Sequence, residues 1–441
     1  NGAITLDAAV GDVVDANIHG IFVRSYAGEG GAQDSSTFGL GDQVGGNSGD
    51  AKDSIVENHG DIIFGAADDP MTVKVGANAI HVNAQGNKGG PDNGEGGSGG
   101  TVQVTNDAGI FLYLAPVEAF DGSVAGIFAR SWGGDGVASN DNSDDGGRGE
   151  EGRPVKVVNS GAIYVETTRP LGWGAEDGDF SAGIYAISLG GDGGRSANDS
   201  TGGAGGGASQ PTSQDSSQGL TSTHIVLQGG SVTTQGDALL GILARSLGGD
   251  GGPGAAADGG DAHSSVGGRG GDAGATEIDL IGGTVNTAGN YAYGIVGQSV
   301  GGEGGSQAAT AGAGGGGGSL TVDADAASSI STSGDFAAGV VLHSVGGGGG
   351  IGADFTRVLA GSGGTGGNGG DGGSATITSA ATVFTNGMYA HGLLAQSIGG
   401  GGGSGGVGEG LVVGLGGDGG EGGESGLALV NVSGGVTTID Y

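Results

Sequence analysis

The chain lacks cysteine and is poor in basic and aromatic residues. Without cysteine, disulfides and thiolate-bound metals are excluded. Only 13 Lys and Arg stand against 48 Asp and Glu, which gives a formal net charge of −35. We expect no nucleic-acid partner, because such a chain cannot neutralise phosphates, and anionic lipid should repel it. Aromatic residues make up 5% of the 441 residues, which disfavours the thick core of an ordinary globular enzyme.

Long apolar runs are also missing. No run of about 18 apolar residues occurs, so the sequence predicts no transmembrane helix. The first residues, NGAITL, have neither the charged nor the apolar segment of a secretory signal peptide. An exported protein with this beginning would have lost its signal by cleavage or would be part of a longer chain.

Glycine is abundant instead, with 116 residues, but it does not keep the every-third spacing of collagen. A twelve-residue block recurs eight times, beginning at residues 20, 79, 126, 183, 241, 294, 339 and 392. Its first copy is GIFVRSYAGEGG and its last is GLLAQSIGGGGG. Recurrence at uneven spacing indicates one structural unit with variable insertions. We therefore expect residues 1–441 to form a single repeat domain.

Two shorter runs of strand-forming residues precede each block, such as HIVL at 224–227 and SVTT at 231–234. Turn residues separate them, for example Gly229-Gly230 and Gly236-Asp237. Each unit is thus predicted to contain three strands, two tight turns and a glycine-rich insertion. A single coil cannot bury its apolar face, whereas stacked coils can. The sequence therefore predicts an all-β fold, a parallel β-helix (solenoid) of about eight three-stranded coils.

Alternation along the block separates an inner from an outer face. Positions two, four and six are mostly Ile, a small apolar residue and Ser, so we assign them to the interior, with the serines in a hydrogen-bonded ladder. Positions three and seven are largely apolar too, from Phe22 to Leu394 and from Tyr26 to Ile398. Such an outer stripe should not face water. We expect the insertions to fold back over it as polyproline-II-like strands; disordered linkers are the alternative.

The chain begins and stops within a coil. Residues 1–6 match a second strand, and residues 427–438 supply a first strand and part of a second. One hypothesis is that the chain is a piece of a longer protein. The other is that the last strand of one chain completes the first coil of the next. The partner would then be a second copy, and head-to-tail fibres would result.

A row of carboxylates is the candidate metal site. Position ten of the block is acidic in five copies: Glu29, Asp135, Asp192, Asp250 and Glu303. Stacked carboxylates repel one another unless a cation or water intervenes, and calcium prefers oxygen ligands. The row is thus a candidate calcium site, with solvated turn acids as the alternative. GGNGGD at 366–371 resembles a calcium-binding repeat but lacks the apolar residue that should follow.

Catalytic motifs are not evident in the sequence, so we expect no enzyme activity. The seven histidines show no HExxH spacing, and no GxxxxGK[ST] loop occurs. The least repetitive stretch, RPLGWGAEDGDF at 169–180, contains Glu176, Asp177 and Asp179. A carbohydrate-active β-helix enzyme would use such an acid cluster, and a turn is the alternative. An ice-binding solenoid needs a flat threonine ladder, and Thr287, Thr332 and Thr385 are too irregularly placed for one.

The blocks GLLAQSIGGGGG and GIVGQSVGGEGG, with a preceding strand of the type TVxTxG, resemble passenger domains of bacterial autotransporters. These are type V secreted, adhesin-like proteins with glycine-rich β-helical repeats. The resemblance covers nearly the whole chain, but two parts that the family has, a signal peptide and a translocator barrel, are not found in this sequence. It implies secretion, display at the bacterial cell surface, and binding of surface glycans or host-cell molecules. We therefore expect a structural or adhesive β-solenoid that forms extracellular fibres; a polysaccharide lyase or hydrolase is the alternative.

Overall fold

A computed structural model shows a solenoid of stacked parallel strands. It describes residues 2–6, 14, 16–31, 46–91, 93–139, 145–168, 180–196, 200–208, 222–254, 265–357 and 359–440. These ranges contain strands but no helix. The first strands of the coils form an eight-stranded sheet, and the second and third strands together form a sixteen-stranded sheet. The predicted all-β parallel β-helix is therefore confirmed.

The strands recur in the same order in each coil. The first strands are Ser54–Asn58, Val102–Asn106, Val155–Asn159, Thr223–Gln228, Thr276–Ile281, Leu320–Ala324, Ala375–Ser379 and Ala428–Val432. The second strands are Ile4–Leu6, Ile62–Phe64, Ala162–Thr167, Ser231–Gln235, Thr284–Ala288, Ser329–Ser333, Thr382–Asn386 and Val436–Ile439. The third strands are Ile18–Tyr26, Met71–Gln85, Ser181–Leu189, Leu239–Leu247, Ile295–Val300, Val340–Val345 and Leu393–Ile398. Ile110–Trp132 serves as second and third strand of its coil. Short strands also join the last two insertions, where Phe355–Arg357 pairs with Gly408–Gly410 and Ala360–Ser362 pairs with Val413–Leu415.

The twelve-residue blocks coincide with the third strands and stack in register. Ile184 pairs with Ile127 on one side and with Ile242 on the other, and all three are fully buried. Position two of the block therefore faces the interior, as its alternation predicts. The turns use glycine where the backbone is left-handed, as at Gly229 (φ 68°), because a side chain would be strained there.

A buried asparagine ladder joins three coils. Asn58 donates from Nδ2 to Oδ1 of Asn106 at 2.6 Å, and Asn106 donates to Oδ1 of Asn159 at 2.6 Å. Asn106 also donates to the carbonyl of Ala108 at 3.0 Å, and both Asn106 and Asn159 are fully buried. In the next coil Leu227 takes the position paired with Asn159, so the ladder ends there. Each buried amide thus finds its partners in the neighbouring coils or its own turn.

The serines at position six attach the insertions to the solenoid. Ser299 accepts a hydrogen bond from the N–H of Gly318 at 2.7 Å and donates to the carbonyl of Gly274 at 3.1 Å. Ser344 is bonded in the same way to the N–H of Gly373 and the carbonyl of Gly318. Since Gly274, Gly318 and Gly373 lie in successive insertions, each serine bridges two of them. The predicted hydrogen-bonded serine ladder is confirmed.

The insertions form an ordered glycine layer in the described residues. Each has an outgoing leg that follows the third strand and a return leg before the next first strand; in the seventh coil these are 346–353 and 363–374. Gly346 and Gly349 donate to the next coil's outgoing leg, at Ile398 and Gly401. Gly347 and Gly350 donate to the previous coil's return leg, at Gly315 and Gly312. This three-residue periodicity is that of a polyproline-II helix.

Close packing of the legs explains why they are rich in glycine. A Cβ added at Gly203 would overlap the carbonyl of Gly147, and one at Gly347 would overlap that of Gly302. The third residue of the period points away from the legs, and a Cβ at Gly348 would come no nearer than 3.9 Å to another atom. This third position has room for a side chain, and it is position ten of the block, where the carboxylates occur.

The layer does not cover the outer apolar stripe as we expected. Leu243, Val296, Val341 and Leu394, at position three, line a groove whose described lining contains no residue of the insertions. The physical reason is that the outgoing leg continues the third strand's hydrogen bonding, as when Gly248 donates to Val300 of the next coil. The layer therefore extends beyond the strand ends instead of turning back across the outer face. The stripe is nonetheless buried from Phe128 to Val341, and Phe128, Tyr185, Leu243 and Val296 belong to a second apolar cluster.

Candidate functional site

An apolar groove of about 480 Å³ runs across the third strands of the last four coils. Its floor consists of side chains from two outward rows of the sheet. One row is Leu243, Val296, Val341 and Leu394, and the other is Leu240, Tyr293, Ala338 and His391. Phe180 lies at one end, with the Arg245 guanidinium 4.9 Å from its ring centre. The groove follows the solenoid axis and can take an elongated ligand.

A stack of three aromatic residues stands beside this floor. The rings of Tyr291 and Phe336 are 4.9 Å apart and parallel to within 3°, and those of Phe336 and Tyr389 are 5.1 Å apart. Their exposed fractions are 39%, 37% and 68%. The three exposed rings, on successive coils, form an aromatic surface that a ligand can contact.

The backbone that carries this aromatic stack is left-handed. The φ angles of Tyr291, Phe336 and Tyr389 are 59°, 60° and 58°. A left-handed residue with a side chain costs about 1–2 kcal/mol. Each lies within a turn that a threonine hydroxyl closes, as when Thr332 donates to the carbonyl of Ala337 at 2.6 Å. Strain of this kind often marks functional positions.

Polar side chains border the same floor. Gln298 and His343 occupy position five of neighbouring blocks and are paired in register. Nε2 of His343 is buried and has no hydrogen-bond partner in the described part of the chain. Burial lowers the pKa of His343, so its ring is neutral at pH 7. Burial, helped by Tyr291, raises the pKa of Tyr293, whose hydroxyl stays protonated. The groove thus offers neutral hydrogen-bonding groups beside an apolar surface.

The sequence analysis identified this stripe of residues but missed the aromatic stack. Tyr291, Phe336 and Tyr389 lie between the second strand and the block, one residue after Asn290, Asp335 and Met388. The signal that identifies them is an aromatic residue two positions after the turn glycine in three successive units. The threonines weighed for an ice-binding surface, Thr287, Thr332 and Thr385, are buried, so they present no exposed ladder.

The carboxylates at position ten form a row along the glycine layer. The N–H of Asp192 donates to Oδ1 of Asp135 at 2.9 Å, and the N–H of Asp250 donates to Oδ1 of Asp192 at 2.7 Å. Glu303 donates in the same way to Asp250 at 2.7 Å, and Glu29 lies 3.8 Å from the Lys88 ammonium. Burial, more than the neighbouring carboxylates, raises the pKa of Asp192.

These hydrogen bonds give the row a structural role. Each aspartate binds a backbone N–H of the next coil, which fixes the spacing of the legs. Across the ranges that the structure describes, no three carboxylates of the row come close enough to share one ion. Calcium binding by Glu29, Asp135, Asp192, Asp250 and Glu303 stays a prediction. The acid cluster Glu176, Asp177 and Asp179 lies outside the described residues.

Comparisons with known proteins add little. No family model matches the chain, and no curated protein matches it. Among solved structures, the chain is similar to a springtail antifreeze protein from Granisotoma rainieri described as a bundle of nine polyproline type II helices. The identity is 16%, over 67% of this chain and 93% of that one, and the TM-score of 0.09 supports no argument. In the described part of the chain, no helix is long and apolar enough to cross a membrane.

Proposed function

We propose that this protein is an adhesive β-solenoid that acts outside a bacterial cell and binds a neutral glycan in the groove. The observation that carries the proposal is the exposed aromatic stack of Tyr291, Phe336 and Tyr389, held on left-handed backbone beside an apolar floor. Sugars have apolar ring faces and polar hydroxyl edges, so they suit a surface with both characters. The autotransporter-like repeats support display at the cell surface.

Charge and polarity favour a neutral sugar chain over other ligands. The described residues that line the groove include no Asp, Glu, Lys or Arg. An acyl chain would pair with neither the Gln298 amide nor the His343 ring, whereas sugar hydroxyls can pair with them. Because the groove spans several coils, an oligosaccharide fits it better than a single sugar. Assembly of whole chains into head-to-tail fibres stays a prediction of the sequence analysis.

Binding is favoured over sugar cleavage. Most glycoside hydrolases place two carboxylates on either side of the scissile bond. The described lining of this groove offers none. We therefore propose a non-catalytic role, with the carbohydrate-active enzyme as the alternative.

Replacement of Phe336 by Ala should weaken glycan binding by about tenfold, equivalent to about 1.4 kcal/mol. The change removes the central ring of the stack and its contacts with the groove. The His343→Ala variant should lose a comparable amount, because a hydroxyl partner disappears. Affinities are measured by calorimetry with the neutral oligosaccharide that binds best on a glycan array.

The control variant is Tyr26→Ala. Tyr26 is 48% exposed, but it lies in the first coil, away from the groove. Its loss should leave the affinity unchanged, while circular dichroism verifies that every variant keeps its strands. Absence of any neutral glycan ligand, preference for a fatty acid, or equal affinity in the Phe336→Ala variant would each contradict the proposal.

A further inference from the structure

A second polar cluster lies on the outer face of the first-strand sheet, away from the groove. His224 belongs to the strand Thr223–Gln228, and Glu277 and Asp279 belong to the next coil's strand, Thr276–Ile281. His224 is paired in register with Glu277, while Asp279 is paired with Val226. All three side chains are at outward positions between the buried residues Ile225, Ile278 and Leu280. The register thus brings together residues more than fifty positions apart.

The ligand atoms of this cluster converge. One ring nitrogen of His224 and one carboxylate oxygen each of Glu277 and Asp279 all lie within 4.8 Å of one another. Nε2 of His224 is 3.0 Å from Oδ2 of Asp279. Around a zinc ion with bonds of about 2.1 Å, tetrahedral ligand atoms stand about 3.4 Å apart. Small side-chain movements would therefore give three protein ligands and leave a fourth position for water.

His224 is the most buried residue of the cluster. It is only 9% exposed, and its Nδ1 is buried without a hydrogen-bond partner. With the proton on Nε2, toward Asp279, Nδ1 carries a lone pair that nothing satisfies. Leaving a buried polar atom unpaired costs about 1–3 kcal/mol. A cation bound at Nε2 would place the ring proton on Nδ1, and that N–H would then need an acceptor such as a water molecule.

The charges around the cluster are mixed. Lys156 is paired in register with His224 on the opposite side, and Asp323 is paired with Asp279. Two adjacent carboxylates in a partly buried place repel each other, and a divalent cation would remove that repulsion.

We propose that His224, Glu277 and Asp279 bind one Zn²⁺ ion that links two neighbouring coils. One imidazole and two carboxylates suit zinc and similar divalent transition metals, whereas calcium prefers oxygen ligands alone. The site is independent of the carboxylate row and of the groove. Its role is structural, because it connects the fourth and fifth first strands of the eight-stranded sheet.

The test titrates the full, chelator-stripped chain with Zn²⁺ in competition with a fluorescent zinc chelator. We expect one saturable site, and His224→Gln should lower its affinity by at least about tenfold. The matched control is His59→Gln. His59 also pairs with a carboxylate, Asp107 at 2.8 Å, but no third ligand joins it in the described part of the chain.

Replacement of Lys156 should change the zinc affinity in the opposite direction. Lys156→Gln removes a positive charge beside the site and should tighten zinc binding, which a merely misfolded variant would not do. Co²⁺ in place of Zn²⁺ should give visible absorption of a nitrogen- and oxygen-ligated ion, lost in His224→Gln. Zinc binding that is absent, or equal in His224→Gln and the parent chain, would overturn the proposal. Binding of Ca²⁺ at the same site with an affinity equal to that of Zn²⁺ would also overturn the proposal.

Discussion

Replacement of Gly347 by Ala should destabilise the protein by at least about 2 kcal/mol, the usual scale of overpacking in a rigid interior. The new Cβ would overlap the carbonyl of Gly302 in the previous coil. The Gly302 carbonyl belongs to a backbone that is hydrogen-bonded on both sides, so moving it away from the new Cβ would break those hydrogen bonds. Chemical unfolding followed by circular dichroism measures the loss.

The adjacent residue is the control for this substitution. At Gly348 the nearest atom to an added Cβ is 3.9 Å away, and other coils carry Asp or Glu at this position. Gly348→Ala should therefore be neutral or stabilise by about 0.4–1 kcal/mol, through the reduced entropy of the unfolded chain. Equal losses at the two positions would contradict the packing of the layer.

Replacement of Asn106 by Ala should cost about 2–6 kcal/mol. The substitution leaves Nδ2 of Asn58 and Oδ1 of Asn159 without their partners, and each unsatisfied buried polar atom costs about 1–3 kcal/mol. Thermal or chemical unfolding measures the effect. Asn431→Ala is the control, because Asn431 is exposed on the outer face of its strand.

A variant that removes the ladder as a whole separates its hydrogen bonding from its shape. The coil after Asn159 has Leu227 at the paired position, so the interior tolerates an apolar residue there. Replacing Asn58, Asn106 and Asn159 together by Leu should cost less than three times the loss of Asn106→Ala, because no unpaired amide remains. A loss of stability in the triple variant equal to three times that of Asn106→Ala would contradict the ladder.

Repetition made most of the fold predictable. The block GIxxxS aligned the third strands, and the structure pairs Ile127, Ile184 and Ile242 in that register. The inner serine ladder followed from the same alternation. The hydrogen-bond partners of these serines could not be predicted, because the return legs that bind residues such as Ser299 have no fixed distance in sequence from the block.

The path of the insertions could not be derived from composition. Glycine-rich chain permits polyproline-II structure but does not say on which side of the sheet it lies. The continuing hydrogen bonds at Gly248 and Gly346 decide this, and they depend on the backbone direction at the end of the strand.

The candidate sites needed three-dimensional register. His224 and Glu277 are 53 residues apart, so a search for local motifs such as HExxH passes over them. Aligning their strands as repeats places them side by side, but the burial of His224 follows only from the structure. The spacing of the carboxylate row could be predicted from the repeat, but the hydrogen bonds from the next coil's N–H groups could not.

Residue-resolved amide hydrogen exchange by NMR tests the ordered glycine layer most directly. In the outgoing leg 346–353, Gly346, Gly347, Gly349 and Gly350 donate hydrogen bonds to neighbouring legs, whereas Gly348 donates none within the described chain. The structure predicts a three-residue pattern in which the amides of those four exchange slowly and that of Gly348 exchanges fast. Uniformly fast exchange across 346–353 would contradict the layer and show that the insertions are flexible linkers.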